Sequence, residues 1–480
     1  MNEATEKRAA PATSLRAYML IVAAGAFATT FAQQRVALGQ YPILFHLKNN
    51  LHFNRQQVST FFLWATFAWN LKPLAGVLTD AFPIRGSRRR VYMVLGGALG
   101  GGSWALLNFV RFDYALFLTV SITLNVGLVF ASTAMGGLQV EAGQMYGVSG
   151  RVSSLRQVVM SLSQIGGPLV GGYLAERWFG YTAGAGAFVM LMLAVFAIAV
   201  FREPHLPPPP RVAEEDLTRP RYRPSAAIIA GILAIAAAGT TGLLVPGMLT
   251  IGYSLFALLV VFLVVLGLAM ARVRNAVLFQ AQGQLSLILS SKTLWLAVGM
   301  LFLVYIVPGL NTALTFRQSD ELHFSDHFIG TLSSIEGGAG VVCAIVYALI
   351  CRRFNLRALL VASIGLNALA TLLYLIYDAH TAVPIHALVG GLGVMAELSL
   401  MDLAVRSTPR GCEALGFALM MSIRNFGIGV SDVVGSKLID QFHFKFATLV
   451  FINAGTTALV LAFVPMLQRS LVMRKEGEIA

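Results

Sequence analysis

Apolar runs of about 20 residues, the length a helix needs to cross a bilayer, recur along this chain between short polar segments. Six fall in the first part, near residues 17–40, 57–81, 91–109, 113–138, 152–175 and 181–201, and six in the last, near 293–312, 327–350, 358–377, 383–403, 413–437 and 447–467. Residues 202–224 between them are rich in proline and charge, cannot span, and predict a linker. Two further apolar runs follow, near 225–246 and 250–271, and then an amphipathic stretch. The pattern predicts an all-α polytopic membrane protein of about 14 spans. Its expected parts are a tail (1–16), a six-helix bundle (17–201), the linker (202–224), an extra helix pair (225–271), a connector (272–291), a second six-helix bundle (292–468) and a tail (469–480).

Composition agrees with the pattern, because a chain that is 57% hydrophobic and 12% charged is no soluble globular protein. The net charge of +13 falls in short segments between the apolar runs, which excludes a nucleic-acid partner and makes the bases topology signals. Arg85, Arg88, Arg89, Arg90, Arg151, Arg352, Arg353, Arg406 and Arg410 alternate onto one side, whereas the opposite loops carry fewer bases, such as Arg55, Arg111 and Arg177. Both termini are then expected to be cytoplasmic and the protein to lie in the cell membrane. The polar N-terminus precedes a run of spanning length without a cleavage pattern, so the first helix is expected to remain. Cys343, Cys351 and Cys412 form no framework or metal spacing, and no HExxH, GxSxG or GxxxxGK[ST] occurs. The chain is expected to be no enzyme, to need no cofactor or metal, and to act as a monomer with the bilayer and a small solute as partners.

An internal repeat divides the chain. FHLKNNLHFNRQQVSTF from Phe45 matches FRQSDELHFSDHFIGTL from Phe316 at an offset of 271 residues, and SSLRQ from Ser153 matches MSIRN from Met421, bringing Arg156 onto Arg424. Two six-span units of the same polarity are the parallel repeat found in major facilitator transporters.

Charges at membrane depth cost a few kcal/mol, about 2.5–3.5 on insertion scales, and so mark candidate sites. Gln34 and Arg35, toward the outer end of the first span, either snorkel to the interface or line a cavity. Lys72, in mid-span before Pro73, cannot snorkel readily and is a candidate for binding an anionic solute, with Trp69 offering a ring for a flat heterocycle. Glu336 and Glu397 are deep carboxylates, and either is a candidate proton carrier. Asp80 with Gly76, Arg88, Arg89 and Arg90 is expected to form a cytoplasmic gate, and Arg156 and Arg424 are assigned to that gate or to structural pairing.

The stretch KPLAGVLTDAFPIRGSRRRVY resembles the second-helix signature of the folate-biopterin transporter family, a branch of the major facilitator superfamily. GGYLAERWFG, VPGLNTALTFRQSDELHFSDHFIGTL and ALMMSIRNFGIGVSDVVGS are similar to that family as well, so the resemblance covers both halves and leaves 202–271 unmatched. It implies a secondary transporter of folate- or pterin-type solutes working by alternating access, with protons as coupling partner. On the same ground Asn311 joins the solute-binding candidates and Glu141 the gate. One position departs: Gly136 stands where the family carries an acid, which requires another carboxylate or a different solute. The alternatives are an exporter of an unrelated small molecule and a non-transporting membrane receptor.

Overall fold

A computed structural model describes residues 14–53, 61–62, 64–175, 177–203, 222–244, 249–271, 275–324, 326–440, 442–476 and 478. Most of the expected linker, 204–221, and most of the N-terminal tail lie outside the described residues. The helices used below are α1 (Leu15–Phe31), α2 (Lys72–Ala81), α3 (Arg90–Val110), α4 (Tyr114–Tyr146), α5 (Ser149–Ala175), α6 (Phe179–Val200), α7 (Ala226–Leu244) and α8 (Leu249–Met270). They continue with α9 (Ala276–Ser290), α10 (Lys292–Tyr305), α11 (Asp326–Ile350), α12 (Leu356–Thr371), α13 (Ala382–Ser407), α14 (Glu413–Asp440) and α15 (Phe446–Val460). Among the described residues no strand forms, and one isolated bridge joins Ile84 to Ser87.

Seven of the described helices are long and apolar enough to cross a membrane, or up to eight if the pair on either side of Ser291, bent by 63°, is one span. Three of those that fall short, α5, α14 and α2, do so for a reason visible in their residues. α5 carries Arg156, Gln157 and Gln164, α14 carries Arg424 and Asn425, and all five side chains line one internal cavity. α2 is only ten residues long and opens on Lys72 and Pro73, after a tight turn at Phe67–Leu71. Proline fits the first turn of a helix because it has no N–H to leave unpaired there.

Packing follows two groups. α3 lies against α4 and α6, and α1 against α4, α5 and α6; in the second group α11 and α12 pack on α13, and α10 on α14. Contacts between the groups run through α5 with α11, and α2 and α4 with α14. α7 and α8 pack on each other, and α8 meets the second group at Phe262 and Trp295, whose rings lie edge to face at 6.1 Å.

The sequence repeat is also a repeat of backbone shape. His46–Asn50 and Arg317–Glu321 are both five-residue π-helical turns, and each is followed by a histidine in the left-handed region, His52 at φ 56° and His323 at φ 53°. The closing hydrogen bonds correspond as well, Phe53 N to Leu47 O at 3.0 Å and Phe324 N to Gln318 O at 2.8 Å. Such wide turns are rare and concentrate at functional positions. Their coincidence at the 271-residue offset supports duplication more strongly than the shared letters do.

Candidate functional site: a closed end and a central cavity

The arginine-rich end is shut by Asp80. Its Oδ1 pairs with Arg89 Nη1 at 2.7 Å and Arg88 Nη2 at 3.2 Å, and its Oδ2 accepts the backbone N–H of Leu415 at 2.7 Å. Ala414 N adds a bond of 3.3 Å, so the carboxylate of α2 sits on the N-terminus of α14, where exposed N–H groups and the helix dipole favour an anion. Helices from the two groups are thereby joined by one buried carboxylate. Arg89 also reaches Glu141 on α4 at 2.7 Å, and Arg88 reaches Glu413 at 3.4 Å. Gly76 makes this approach possible, since a β-carbon there would fall 2.7 Å from Leu415 Cα. Gln284 on α9 adds a strut, donating to the Asp80 carbonyl at 3.2 Å and the Gly411 carbonyl at 2.9 Å. Glu203 caps α3, its carboxylate accepting from Ser87 Oγ and from the backbone N–H groups of Arg88, Arg89 and Arg90.

Beyond this closure lies a cavity of about 820 Å³ that extends to Arg35 and Val36 past the far end of α1. Among the described residues, the charged side chains lining it are four bases, Arg35, Lys72, Arg156 and Arg424, and two acids, Glu336 and Glu397. Lys72 is buried, at 3% exposure; its ammonium donates to Ser132 Oγ at 3.0 Å and lies 5.4 Å over the Trp69 ring. Neither partner is an anion. Trp69 is held in place through its indole N–H, which donates to Asn125 Oδ1 at 2.9 Å, and Asn125 in turn donates to Gln34 Oε1 at 2.9 Å. On the other wall Arg424 pairs with Glu397 at 2.6 Å and stacks over Tyr305 at 5.0 Å. Arg156 stacks over Phe417 at 5.4 Å.

A model of the BT1 family matches residues 36–478. The chain belongs to the BT1 family. It is 24% identical over 464 residues to the folate-biopterin transporter of Synechocystis sp., covering 91% of this chain and 80% of that protein. Folate transporter 1 of Plasmodium falciparum is 20% identical over 82% of this chain and 68% of its own. Among solved structures, the human organic anion transporter MFSD10 superposes with a TM-score of 0.65 at 13% identity, covering 94% of this chain and 99% of that one. The proton:xylose symporter XylE gives 0.60 at 10% identity, covering 97% of both. This BT1 protein is therefore an all-helical major facilitator transporter, integral to a membrane, and not an enzyme.

The BT1 chain distributes the expected residues between its two sites as follows. Gly76, Asp80, Arg88, Arg89 and Glu141 meet at the closed end. Arg90 does not join the ion pairs; its side chain donates to the Ile198 carbonyl. Arg156 and Arg424, expected in the gate or in structural pairing, line the cavity, where Arg424 pairs with Glu397. Gln34, Arg35, Trp69, Lys72, Asn311, Glu336 and Glu397 all line the same cavity. At Gly136 a β-carbon would lie 2.8 Å from the Phe417 ring, so the room for an acidic side chain is filled from α14.

Glu203, Gln284 and Glu413 escaped the sequence reading, and so did a strap formed by the last described residues. Arg406, paired with Asp402 at 2.8 Å, donates to the Arg474 carbonyl at 2.9 Å. Glu476 accepts from Arg151 N at 3.0 Å and from the Cys351 thiol. Burial and then the Glu476 hydrogen bond push the Cys351 thiol up, so it stays a protonated donor. The strap thus ties α5 of the first group to the end of α11 in the second. Arg151→Gln, which removes the side-chain ion pair to Glu476 at 3.3 Å and keeps the backbone bond, should speed thiol labelling of buried Cys351 about fivefold, from roughly 1 kcal/mol for a partly exposed pair. An unchanged rate in reconstituted vesicles counts against the clamp.

Proposed function

We propose that this protein is a secondary active transporter that moves a folate- or pterin-type compound by alternating access, coupled to protons carried by Glu336 or Glu397. The reading takes the arginine-rich end as cytoplasmic, with both termini there, so the described state is open to the outside. It counts about 14 spans, divided at the boundaries read from the sequence, with solute bound between two six-helix bundles. The Asp80 cluster serves as the inner gate.

The carrying observation is Lys72: a buried ammonium facing a large cavity with a hydroxyl and an aromatic ring for neighbours. A buried charge without a counter-ion is costly, and a solute carboxylate would supply the missing partner. Trp69 beside it suits a flat heterocycle. The names of the relatives from Synechocystis and Plasmodium support the same solute class. The test is uptake of labelled folate and labelled biopterin by vesicles containing the purified protein, with and without a proton gradient. Saturable uptake of either supports the reading. Flux of another solute without competition by pterins would make it an unrelated facilitator, and binding without counterflow a receptor.

A further inference from the structure

Glu336 and Glu397 have different neighbours. Glu397 is held by the Arg424 guanidinium at 2.6 Å, with Arg156 lining the same cavity. Glu336 faces the cavity from α11 and has a histidine as partner: His386 Nδ1 lies 2.8 Å from its Oε1. Gly390 lets the two helices close here, since a β-carbon at that position would meet Glu336 Cβ at 2.9 Å.

His386 is itself buried at 5% exposure, and its other nitrogen does not face the cavity solute space alone. Nε2 lies 3.0 Å from Gln318 Nε2 and 2.9 Å from the Tyr377 hydroxyl, and Gln318 donates to that hydroxyl at 2.6 Å. An amide nitrogen only donates, so His386 Nε2 accepts and its Nδ1 proton points at Glu336. The chain Gln318, Tyr377, His386, Glu336 therefore runs from the π turn Arg317–Glu321, at the end remote from the arginine cluster, to the cavity.

Other charged groups nearby are engaged elsewhere. Arg317, on the same turn, stacks over Phe446 at 4.7 Å and pairs with Glu321 at 3.6 Å. Asp378, after Tyr377, is exposed and takes the N–H groups of His380 and Thr381. Tyr374 contributes a ring edge to His386 at 6.3 Å. From α5, Ile165 is the side chain nearest Gly337, next to Glu336, while Gln164 and Arg156 line other parts of the cavity wall.

We infer that the Glu336–His386 pair is the proton-binding site of the transport cycle, loaded from the end opposite the arginine cluster through the Tyr377 hydroxyl, which Gln318 orients. Glu397 is then a fixed counter-ion for Arg424. On loading, one proton passes from water at that end to the pair, whose net charge goes from −1 to zero; on opening of the arginine-rich end it leaves to the other side. His386 is a positioning residue that orients the carboxylate and passes the proton on. This assignment rests on the transport reading above and sharpens it from two candidate carboxylates to one.

The experiment uses the full chain in proteoliposomes with two independent readouts. In Glu336→Gln and His386→Gln, accumulation driven by a pH gradient should fall at least tenfold relative to the same variant's folate counterflow, which needs no net proton movement. Tyr377→Phe should slow gradient-driven accumulation and leave counterflow unchanged. In pH-difference infrared spectra without any solute, the protonated carboxyl band of the wild type should vanish in Glu336→Gln, shift in His386→Gln and persist in Glu397→Gln. A band that survives Glu336→Gln overturns the inference, as does retained gradient-driven accumulation in that variant. Absence of folate counterflow in wild type overturns the solute reading, and the infrared spectra still decide the proton site.

Discussion

Asp80→Asn is expected to insert and fold normally but to open the arginine-rich end and slow transport. Every neighbour of this carboxylate is a donor: the guanidinium groups of Arg88 and Arg89 on one side, the N–H groups of Ala414 and Leu415 on the other. A carboxylate accepts from all of them. An amide must turn its own N–H₂ toward either Arg89 or the start of α14, so one donor is set against another in a site where Asp80 and Arg89 are fully buried. Removing one member of a buried pair costs about 3–5 kcal/mol; because Glu141 and Glu413 still face Arg89, the low end of that range is expected. About 3 kcal/mol is on the order of a hundredfold in the open-to-closed ratio. Cys412 is the natural reporter, fully buried beside Glu413. In a Cys343→Ala, Cys351→Ala background, a membrane-impermeant maleimide applied to the arginine-rich side should label Cys412 at least tenfold faster in Asp80→Asn. Labelling at the wild-type rate, with transport unchanged, would refute the gate.

That gate was half legible in the sequence. Gly76, Asp80 and the arginines stand together within fifteen residues, and a carboxylate next to a basic loop announces ion pairing. Their partners on α14, Glu413, Ala414 and Leu415, lie more than 300 residues away. Glu413 looks like the first turn of a helix, and it is that as well, with its side chain accepting from Gly411 N at 2.6 Å. Nothing local tells that the same turn receives Asp80. Glu203 reads as the first charge of a proline-rich linker, yet it caps α3. Long-range closure is set by how two helix groups dock, and hydropathy carries no information on that docking.

In the cavity the position along a helix misled for Arg156 and Arg424. α5 begins at Ser149, ahead of the apolar run at 152–175, so Arg156 lies deeper in its helix than the hydropathy indicates, whereas α14 begins at Glu413, where its apolar run was read to begin. His386 gave no signal at all, being a single histidine near the start of an apolar run, two residues after Pro384. Its role depends on Glu336, which lies 50 residues earlier, and on a turn of the second repeat.

Lys72→Gln is expected to raise the half-saturation concentration for folate by at least tenfold and to leave biopterin transport within about threefold. The two solutes separate the two parts of the site. Folate carries carboxylates that Lys72 can pair with, and biopterin does not, whereas both carry the ring that Trp69 can stack. A hydrogen bond to a charged group contributes about 1.5–3 kcal/mol, and a tenfold change in affinity corresponds to about 1.4 kcal/mol. Stability should not fall with affinity, because the substitution removes a buried ammonium whose contacts are Ser132 Oγ and the Trp69 ring, and glutamine can still reach the hydroxyl. A thermal midpoint equal to or above wild type, together with a folate-selective loss, therefore identifies a solute contact. Equal losses for folate and biopterin with a lowered midpoint would instead make Lys72 a structural brace between α2 and α4, and the cation that pairs with the solute would have to be sought at Arg35 or Arg156 on the same cavity wall.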